Sequence, residues 1–222
     1  MKEIYQMTKE ELLAIYPDTD GLTEEKALQI RKEIGENILE ETAKKSAFTV
    51  FLEQFADLLV IILIAAAIIS MISGNVESTI VIFTVIILNA VLGTVQYVKA
   101  EKSLDSLKAL SSPHAKVFRD GVRKEIPSRD VVPGDILMLE AGDMVVADGR
   151  ILENFSLQVN ESSLTGESTN VDKKEVDILE NVALGDRINM VYSGSLVTYG
   201  RAKILITGTG MNTEMGKIAG LM

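Results

Sequence analysis

A short loop of hydroxyl, glycine and acidic residues, Thr165-Gly166-Glu167-Ser168, is the segment of this sequence best suited to chemistry. The carboxylate of Glu167 can orient a water molecule and accept its proton when the two lie within hydrogen-bond reach. Gly166 has no Cβ, so the backbone beside Glu167 can approach a ligand closely. Because phosphoryl transfer depends mostly on positioning and charge stabilisation, one aimed carboxylate can promote it strongly. The same residue types also fit a solvated, turn-rich loop, so composition alone leaves both interpretations open.

Short strands separated by turns surround this loop and predict a mainly β domain of about 100 residues. Asp120-Gly121 separates strand-like runs at 115–119 and 122–126, which is a strong hairpin signal. Tyr199-Gly200 is expected to form the turn of another hairpin. The frequent turns are consistent with a β-sandwich or a distorted jelly roll.

Two uncharged, apolar runs, 58–73 and 78–98, lie close together in front of this domain. A bilayer core about 30 Å thick needs about 20 helical residues, so the second run can span by itself and the first needs its apolar flank. We therefore predict a transmembrane hairpin over 48–98, with helices at about 48–73 and 78–98. A buried helical pair in a soluble protein is the alternative.

Lysines flank the predicted hairpin on the side of both chain ends. Lys44 and Lys45 precede it, Lys99 and Lys102 follow it, and the short turn carries no Lys or Arg. The positive-inside rule therefore places both ends in the cytoplasm and the turn outside. The remaining residues, 99–222, are expected to form a helical stalk followed by the β domain.

The N-terminal arm, 1–47, contains signals for two short helices. Thr8 and Glu11 fit a capping box, and Thr23 can cap a second helix that stops at Gly35. Helices this short bury little surface by themselves, so we expect the arm to pack on the β domain.

Composition excludes several classes of protein. The formal net charge of -10 argues against nucleic-acid binding, which needs a basic surface. The chain has no cysteine and only one histidine, His114, so disulfides, thiolate metal sites and histidine clusters are excluded. The sequence opens without the apolar segment of a secretory signal.

Further short segments occur in a fixed order on both sides of the loop: Leu22-Thr23, Gly35-Glu36-Asn37, Glu53-Gln54-Phe55, Asn89-Ala90, Ala100-Glu101, Val131 to Asp135, Ala147 to Arg150, Ser193-Gly194 and Thr213 to Ile218. Together with the TGES tetrapeptide at 165–168, they resemble the N-terminal part of P-type cation-transporting ATPases of type II, which include calcium pumps. TGES matches the signature of that family's actuator domain. One departure is Ile34, where the family usually has a tyrosine.

This resemblance implies a role for each residue of the loop. Glu167 would position and activate the water that attacks an aspartyl phosphate, while Thr165, Gly166 and Ser168 would shape the loop and bring it against the phosphorylation site. The β domain would rotate and pull on the membrane hairpin through the stalk at 99–110. The implied fold class is an α+β membrane protein: a transmembrane helical hairpin, a mainly β actuator domain (a distorted jelly roll) and short N-terminal helices.

The family's phosphorylated aspartate belongs to a DKTGT motif, which does not occur in the 222 residues. We therefore expect that these residues alone neither hydrolyse ATP nor transport an ion, and that the natural chain continues past Met222. The resemblance implies ATP and Mg²⁺ as cofactors of the full-length pump, with neither cofactor nor metal bound by this piece. The implied partners are the lipid bilayer, the remaining domains and membrane helices of the pump, and the transported cation, without nucleic acid.

The resemblance makes calcium the first expected ion, with sodium, potassium or protons as the alternative. Copper, zinc and cadmium are disfavoured because soft metals need thiolates. A non-enzymatic, membrane-anchored β module that binds or regulates a partner is the competing class of function. The downstream DNA distinguishes the two classes, since only a pump gene continues into further apolar spans and DKTGT.

Overall fold

The computed structural model describes residues 2–39, 45–110 and 113–221, with side chains described outside 105–110. These residues form two compact units: the β unit, made of 2–39 and 113–221, and the helical unit, made of 45–110. The α+β class predicted from the sequence is confirmed, because helices accompany a mainly antiparallel sheet. Lys44, used in the predicted orientation, and Met222, where the chain is expected to continue, lie outside the described residues.

The two helices of the N-terminal arm begin where the sequence predicts. Helix α1 (Lys9–Ile15) follows Thr8, whose Oγ1 accepts a hydrogen bond from the Glu11 backbone N–H at 3.3 Å. In return, Glu11 Oε2 accepts from the Thr8 backbone N–H at 3.0 Å, which confirms the capping box. Helix α2 (Glu24–Ile34) follows Thr23, whose side chain accepts from the Lys26 backbone N–H.

Buried side chains attach this arm to the sheet of the β unit. Leu12 of α1 is fully buried in a cluster with Ile136 and Leu205. Ala27 of α2 is buried in a second cluster with Val132. The arm therefore contributes to the hydrophobic core of the β unit.

The first apolar run of the helical unit is divided, although the sequence predicts one helix over about 48–73. Helix α3 (Ala47–Glu53) is followed by a 3-10 turn and then by α4 (Leu58–Ile72), and the two parts are bent by 66°. The break falls at Asp57, whose backbone is extended and whose carboxylate accepts from the Leu59 backbone N–H at 2.9 Å. An aspartate that bonds a free N–H in this way starts a new helix instead of continuing the old one.

Helix α5 (Val76–Leu110) is the one described helix that is by itself long and apolar enough to cross a membrane. Helices α3 and α4, which are bent against each other, form a second candidate span when they are taken together as one membrane segment. Helices α4 and α5 contact each other, and each contains a buried alanine, Ala67 in α4 and Ala90 in α5. Small side chains let helices approach closely. Helix α5 also continues without a break through the predicted stalk at 99–110.

One antiparallel sheet forms the body of the β unit, with the strand order β2-β1-β3-β7-β4-β5 and with β6 paired to β4. Its main hydrophobic core contains buried residues from most of these strands. Helix α6 (Ser162–Thr165) lies between β4 and β5, and helix α7 (Glu214–Ala219) follows the last strand. The strands are β1 (His114–Arg119), β2 (Val122–Pro127), β3 (Ile136–Glu140), β4 (Asp148–Asn160), β5 (Asn170–Asp172), β6 (Met190–Val191) and β7 (Leu196–Gly208).

The predicted hairpin at Asp120-Gly121 is confirmed. Arg119 pairs with Val122 across the turn, and the two residues between them have φ angles of +54° and +70°. Two consecutive positive φ angles are typical of the tight turns that match the twist of a hairpin.

The predicted hairpin at Tyr199-Gly200 is wrong, because both residues lie inside the continuous strand β7. Gly200, with a φ of +76°, faces an irregular stretch of β4 around Ser156, where the register between the two strands shifts. A Cβ at Gly200 would lie 2.2 Å from the Ser156 carbonyl oxygen. Glycine with positive φ serves bulges as well as turns, so the local sequence did not distinguish the two.

Candidate functional site

The tetrapeptide 165–168 lies in the connection between two paired strands. Strand β4 leaves the core at Val159, which is fully buried, and pairs with β5 up to Asn160 and Asn170. Between these strands the chain forms α6, which ends at Gly166 with a φ of +75°. The Gly166 backbone N–H donates to the Ser162 carbonyl oxygen at 3.0 Å. The left-handed conformation that glycine adopts readily therefore turns the chain outward immediately before Glu167.

Glu167 is exposed, and its backbone N–H donates to Thr165 Oγ1 at 3.3 Å. Within the described ranges no hydrogen bond or ion pair engages its carboxylate. Thr165, Gly166 and Ser168 are exposed as well, and a Cβ added at Gly166 would meet no atom within 4 Å. The Glu167 carboxylate, flanked by hydroxyl groups, is therefore accessible on the surface of the β unit.

Asn160 ties both ends of the loop together. Its Oδ1 accepts hydrogen bonds from the backbone N–H and the Oγ of Ser162, at 3.1 and 2.6 Å. Its Nδ2 donates to the carbonyl oxygen of Ser168 at 3.3 Å. The one amide side chain thus limits the positions that the intervening residues can take.

The residues before and after the loop form a buried ion pair. Lys173 Nζ lies 2.6 Å from Glu161 Oε1, and the two side chains are 0% and 1% exposed. Burial raises the pKa of Glu161 and lowers that of Lys173, while the attraction between the two groups opposes both shifts. The Glu161 carbonyl oxygen also accepts from the backbone N–H groups of Leu164 and Thr165, at 2.9 and 3.0 Å.

Chemically, the loop can supply a proton acceptor but not the electrophile. Among the described residues, no group of three or more His, Cys, Asp or Glu side chains could hold a metal ion. The four residues named from the sequence are adjacent in the chain, so the fold brings them together at one exposed tip. An outward-facing carboxylate of this kind can accept a proton from a group that comes within hydrogen-bond reach.

The family model for the P-type ATPase actuator domain matches residues 109–222, which is more than half of the chain. The chain belongs to the P-type ATPases. A second model, for the N-terminus of cation transporters and ATPases, matches residues 4–70. The β unit of this P-type ATPase therefore contains its actuator domain, with the TGES loop at an exposed tip.

Several P-type ATPase relatives match nearly the full length of the chain. A calcium-transporting ATPase of Listeria monocytogenes is 45% identical over 99% of the chain and 25% of its own length. A calcium-transporting ATPase of Lactococcus lactis is 42% identical over 100% of the chain and 25% of its own length. A sodium/potassium exporting P-type ATPase of Schizosaccharomyces pombe is 42% identical over 90% of the chain and 20% of its own length. The chain thus spans about a quarter or less of these relatives.

Sequence reasoning missed three residues that flank the TGES loop of this P-type ATPase and bond at its two ends: Asn160, Glu161 and Lys173. Asn160 and Glu161 directly precede the loop helix, and the available signal was an asparagine whose side chain can bond the backbone N–H two residues on, at Ser162. No local signal identifies Lys173, because its contact with Glu161 exists only when β4 and β5 are paired.

Proposed function

We propose that this chain is the N-terminal part of an ATP-driven cation pump in which Glu167 promotes hydrolysis of an aspartyl phosphate. The observation that carries the proposal is the exposed carboxylate of Glu167, which no described residue engages, at the tip of a loop whose two ends are tied together. The aspartyl phosphate is formed in another part of the pump, because the DKTGT motif is absent from these 222 residues.

In the proposed reaction, the Glu167 carboxylate accepts a hydrogen bond from a water molecule and orients its oxygen toward phosphorus. The water oxygen forms a bond to phosphorus as the bond to the aspartate oxygen breaks, and Glu167 takes the water proton. The products are free aspartate and inorganic phosphate. Thr165, Gly166 and Ser168 set the shape of the loop and its approach to the phosphoryl group.

The proposed location is a membrane, with both ends of the chain in the cytoplasm. The length and apolar character of α5 support a spanning helix. Lys45, Lys99 and Lys102 flank the helical pair and support this orientation. The unbroken course of α5 through 99–110 supports the proposal that rotation of the β unit pulls on the membrane helices.

We propose calcium as the transported ion, which the names of the Listeria and Lactococcus relatives support. Export of sodium or potassium is the second candidate, because the Schizosaccharomyces relative of similar identity carries that name. ATP and Mg²⁺ belong to the full-length pump and bind outside this piece, whose partners are the bilayer and the remaining domains. The 222 residues alone are proposed to be inactive, and a phosphate-release assay with ATP tests this.

The decisive experiment measures phosphoenzyme decay in the complete pump with Glu167→Gln. We expect ATP to form the phosphoenzyme normally and its hydrolysis to slow by about 100-fold, in the range that general-base groups contribute. Glu125→Gln is the matched control, because Glu125 is also exposed on the β unit but lies on β2, away from the loop. Decay of the Glu167→Gln phosphoenzyme at the control rate would refute the proposed role.

A further inference from the structure

The buried pair of Glu161 and Lys173 lies at the two ends of the TGES loop and takes no part in the chemistry proposed above. Glu161 stands between the end of β4 and the start of α6, and Lys173 follows directly after β5. Their side chains are 1% and 0% exposed, and the contact joins the segment before the loop to the segment after it.

Both members of this pair are fixed in other ways as well. The Lys173 backbone N–H donates to the Leu157 carbonyl oxygen at 2.9 Å, and its carbonyl oxygen accepts from Asn154 Nδ2. Its Nζ lies 5.6 Å from the centre of the Tyr192 ring. The backbone of Lys173 is therefore bonded to β4, while its side-chain ammonium group contacts Glu161.

A short series of contacts leads from the pair to Glu167. The Glu161 carbonyl oxygen accepts from the backbone N–H and from the Oγ1 of Thr165, at 3.0 and 3.2 Å. Thr165 Oγ1 in turn accepts from the Glu167 backbone N–H at 3.3 Å. A displacement of Glu161 is thus passed through one residue to the backbone of Glu167.

The hydrogen bonding of the pair is poor for so buried a site. Apart from the contact of the two charges with each other at 2.6 Å, neither the carboxylate of Glu161 nor Lys173 Nζ has a hydrogen-bond partner among the described residues. Replacement of a buried ion pair by well-packed apolar side chains of similar volume often leaves stability unchanged or raises it. The pair is therefore poorly explained as a device for stability alone.

We propose that Glu161 and Lys173 are positioning residues for phosphoenzyme hydrolysis: their contact closes the base of the TGES loop and fixes where Glu167 stands. This inference rests on the proposed function of Glu167. Loss of the pair does not remove the Glu167 carboxylate, but it lets this group move relative to the phosphoryl group. A misplacement of about 1 Å can slow a reaction by about 100-fold.

The test uses the complete pump with both charges replaced by apolar groups of similar size, Glu161→Met with Lys173→Met. We expect a folded pump that forms the phosphoenzyme from ATP and hydrolyses it between about 10- and 100-fold more slowly. The matched control is Arg119→Met with Asp135→Met, which removes another buried ion pair of the β unit, with 2.7 Å between Arg119 Nη2 and Asp135 Oδ2. The control pair lies between β1 and the turn before β3, so its loss should change thermal stability without slowing hydrolysis.

Combination with Glu167→Gln distinguishes positioning from general damage. If the pair acts through Glu167, its replacement should add no further slowing once that carboxylate is removed. Equal slowing in both backgrounds, or normal hydrolysis in the folded methionine variant, would overturn the inference. Should the methionine variant not fold, Glu161→Gln with Lys173→Gln, which keeps polar groups without charge, is measured by the same criterion. Normal hydrolysis by Glu167→Gln alone would instead defeat the proposed function, so the two failures are distinguishable.

Discussion

Asn37 of the N-terminal arm is hydrogen-bonded to Gly210, which lies after the last strand of the sheet: Asn37 Oδ1 accepts from the Gly210 backbone N–H at 2.8 Å. The Nδ2 of the same side chain donates to the carbonyl oxygens of Ser128 and Val146, at 3.0 and 2.9 Å. One amide thus joins four segments of the chain. The arm is consequently a structural part of the β unit.

Asn37→Ala should lower the free energy of unfolding of the β unit by about 2 kcal/mol, because three partly buried backbone groups lose their partner. The measurement is thermal unfolding of the 222-residue chain in detergent. Asn181→Ala is the control, since Asn181 is exposed and accepts one hydrogen bond, from the Tyr5 hydroxyl. Equal destabilisation by the two variants would contradict the role assigned to Asn37.

Gly200→Ala should be severely destabilising, by more than about 3 kcal/mol, because the new Cβ would meet the Ser156 carbonyl oxygen in a strand of the core. Gly121→Ala is the matched control: its φ is also positive, at +70°, but a Cβ there would meet nothing within 4 Å. The control should cost only about 1 kcal/mol of backbone strain. Chemical denaturation of both variants measures the difference, and similar losses would argue against the steric explanation.

Asp148 should make the stability of the β unit fall as pH rises from about 4 to about 6. Burial raises the pKa of this carboxyl group from 3.8 to about 6, although the Ser193 and Glu214 backbone N–H groups, which donate to it at 2.8 and 2.7 Å, oppose the shift. The folded state therefore binds the Asp148 proton more tightly than the unfolded state does. This difference contributes about 3 kcal/mol to the free energy of unfolding below pH 4, and the contribution is lost as the pH rises through 6.

Comparison of unfolding temperatures between pH 4 and pH 7.5 for the parent chain and Asp148→Asn tests this effect. Several surface carboxyl groups have lowered pKa values and give the opposite slope, among them Glu11, Asp120 and Glu140. The quantity of interest is therefore the difference between the two curves. An identical pH dependence in parent and variant would show that Asp148 does not titrate in this range.

Substitutions at Gly166 should slow phosphoenzyme hydrolysis according to how well they tolerate a φ of +75°. Asparagine adopts this conformation readily, whereas a β-branched residue does so rarely. Because a Cβ has open space at this position, backbone strain alone should rank the variants. We expect Gly166→Asn to stay close to the parent rate and Gly166→Val to be about tenfold slower, measured as phosphoenzyme decay. Equal rates would mean that the loop conformation does not control the reaction.

A single cysteine at Asn75 tests the proposed orientation, because the chain has no cysteine of its own. Asn75 is exposed in the turn between α4 and α5. In intact cells, Asn75→Cys should react with a thiol reagent that cannot cross membranes. Glu125→Cys, on the β unit, should react only after the cells are opened. Labelling of both positions in intact cells would reverse or abolish the proposed topology.

Features that depend on neighbouring residues were predictable from the sequence. The capping box of Thr8 and Glu11 and the turn at Asp120-Gly121 involve residues within three positions of each other, and both are confirmed. The apolar pattern of 78–98 likewise predicted a long helix, and the helical stalk predicted after it belongs to the same helix, which ends at Leu110.

Features that depend on distant partners were not predictable in the same way. Gly200 carries the same positive-φ signal as a turn glycine, and only the facing strand shows that it belongs to a bulge. The helix break at Asp57 is by contrast a local feature that the sequence analysis missed, because this aspartate starts a new helix by accepting a hydrogen bond from the Leu59 backbone N–H. Lys173 and Glu161 are twelve residues apart in the chain and meet only because β4 pairs with β5. The sequence therefore identified the TGES loop but not the ion pair beside it.

The dimensions of α5 have a mechanical consequence. Its 35 residues, at about 1.5 Å each, make a rod about 50 Å long, of which a hydrocarbon layer about 30 Å thick covers only part. The rod contains no proline, so no proline kink separates its apolar part from Leu110, and in the proposed pump a twist applied at that end would pass along one continuous helix. A Cβ at Gly93 would lie 2.5 Å from Gln54 Oε1, so glycine at this point leaves room for a side chain of the 3-10 turn before α4 to lie directly against the rod.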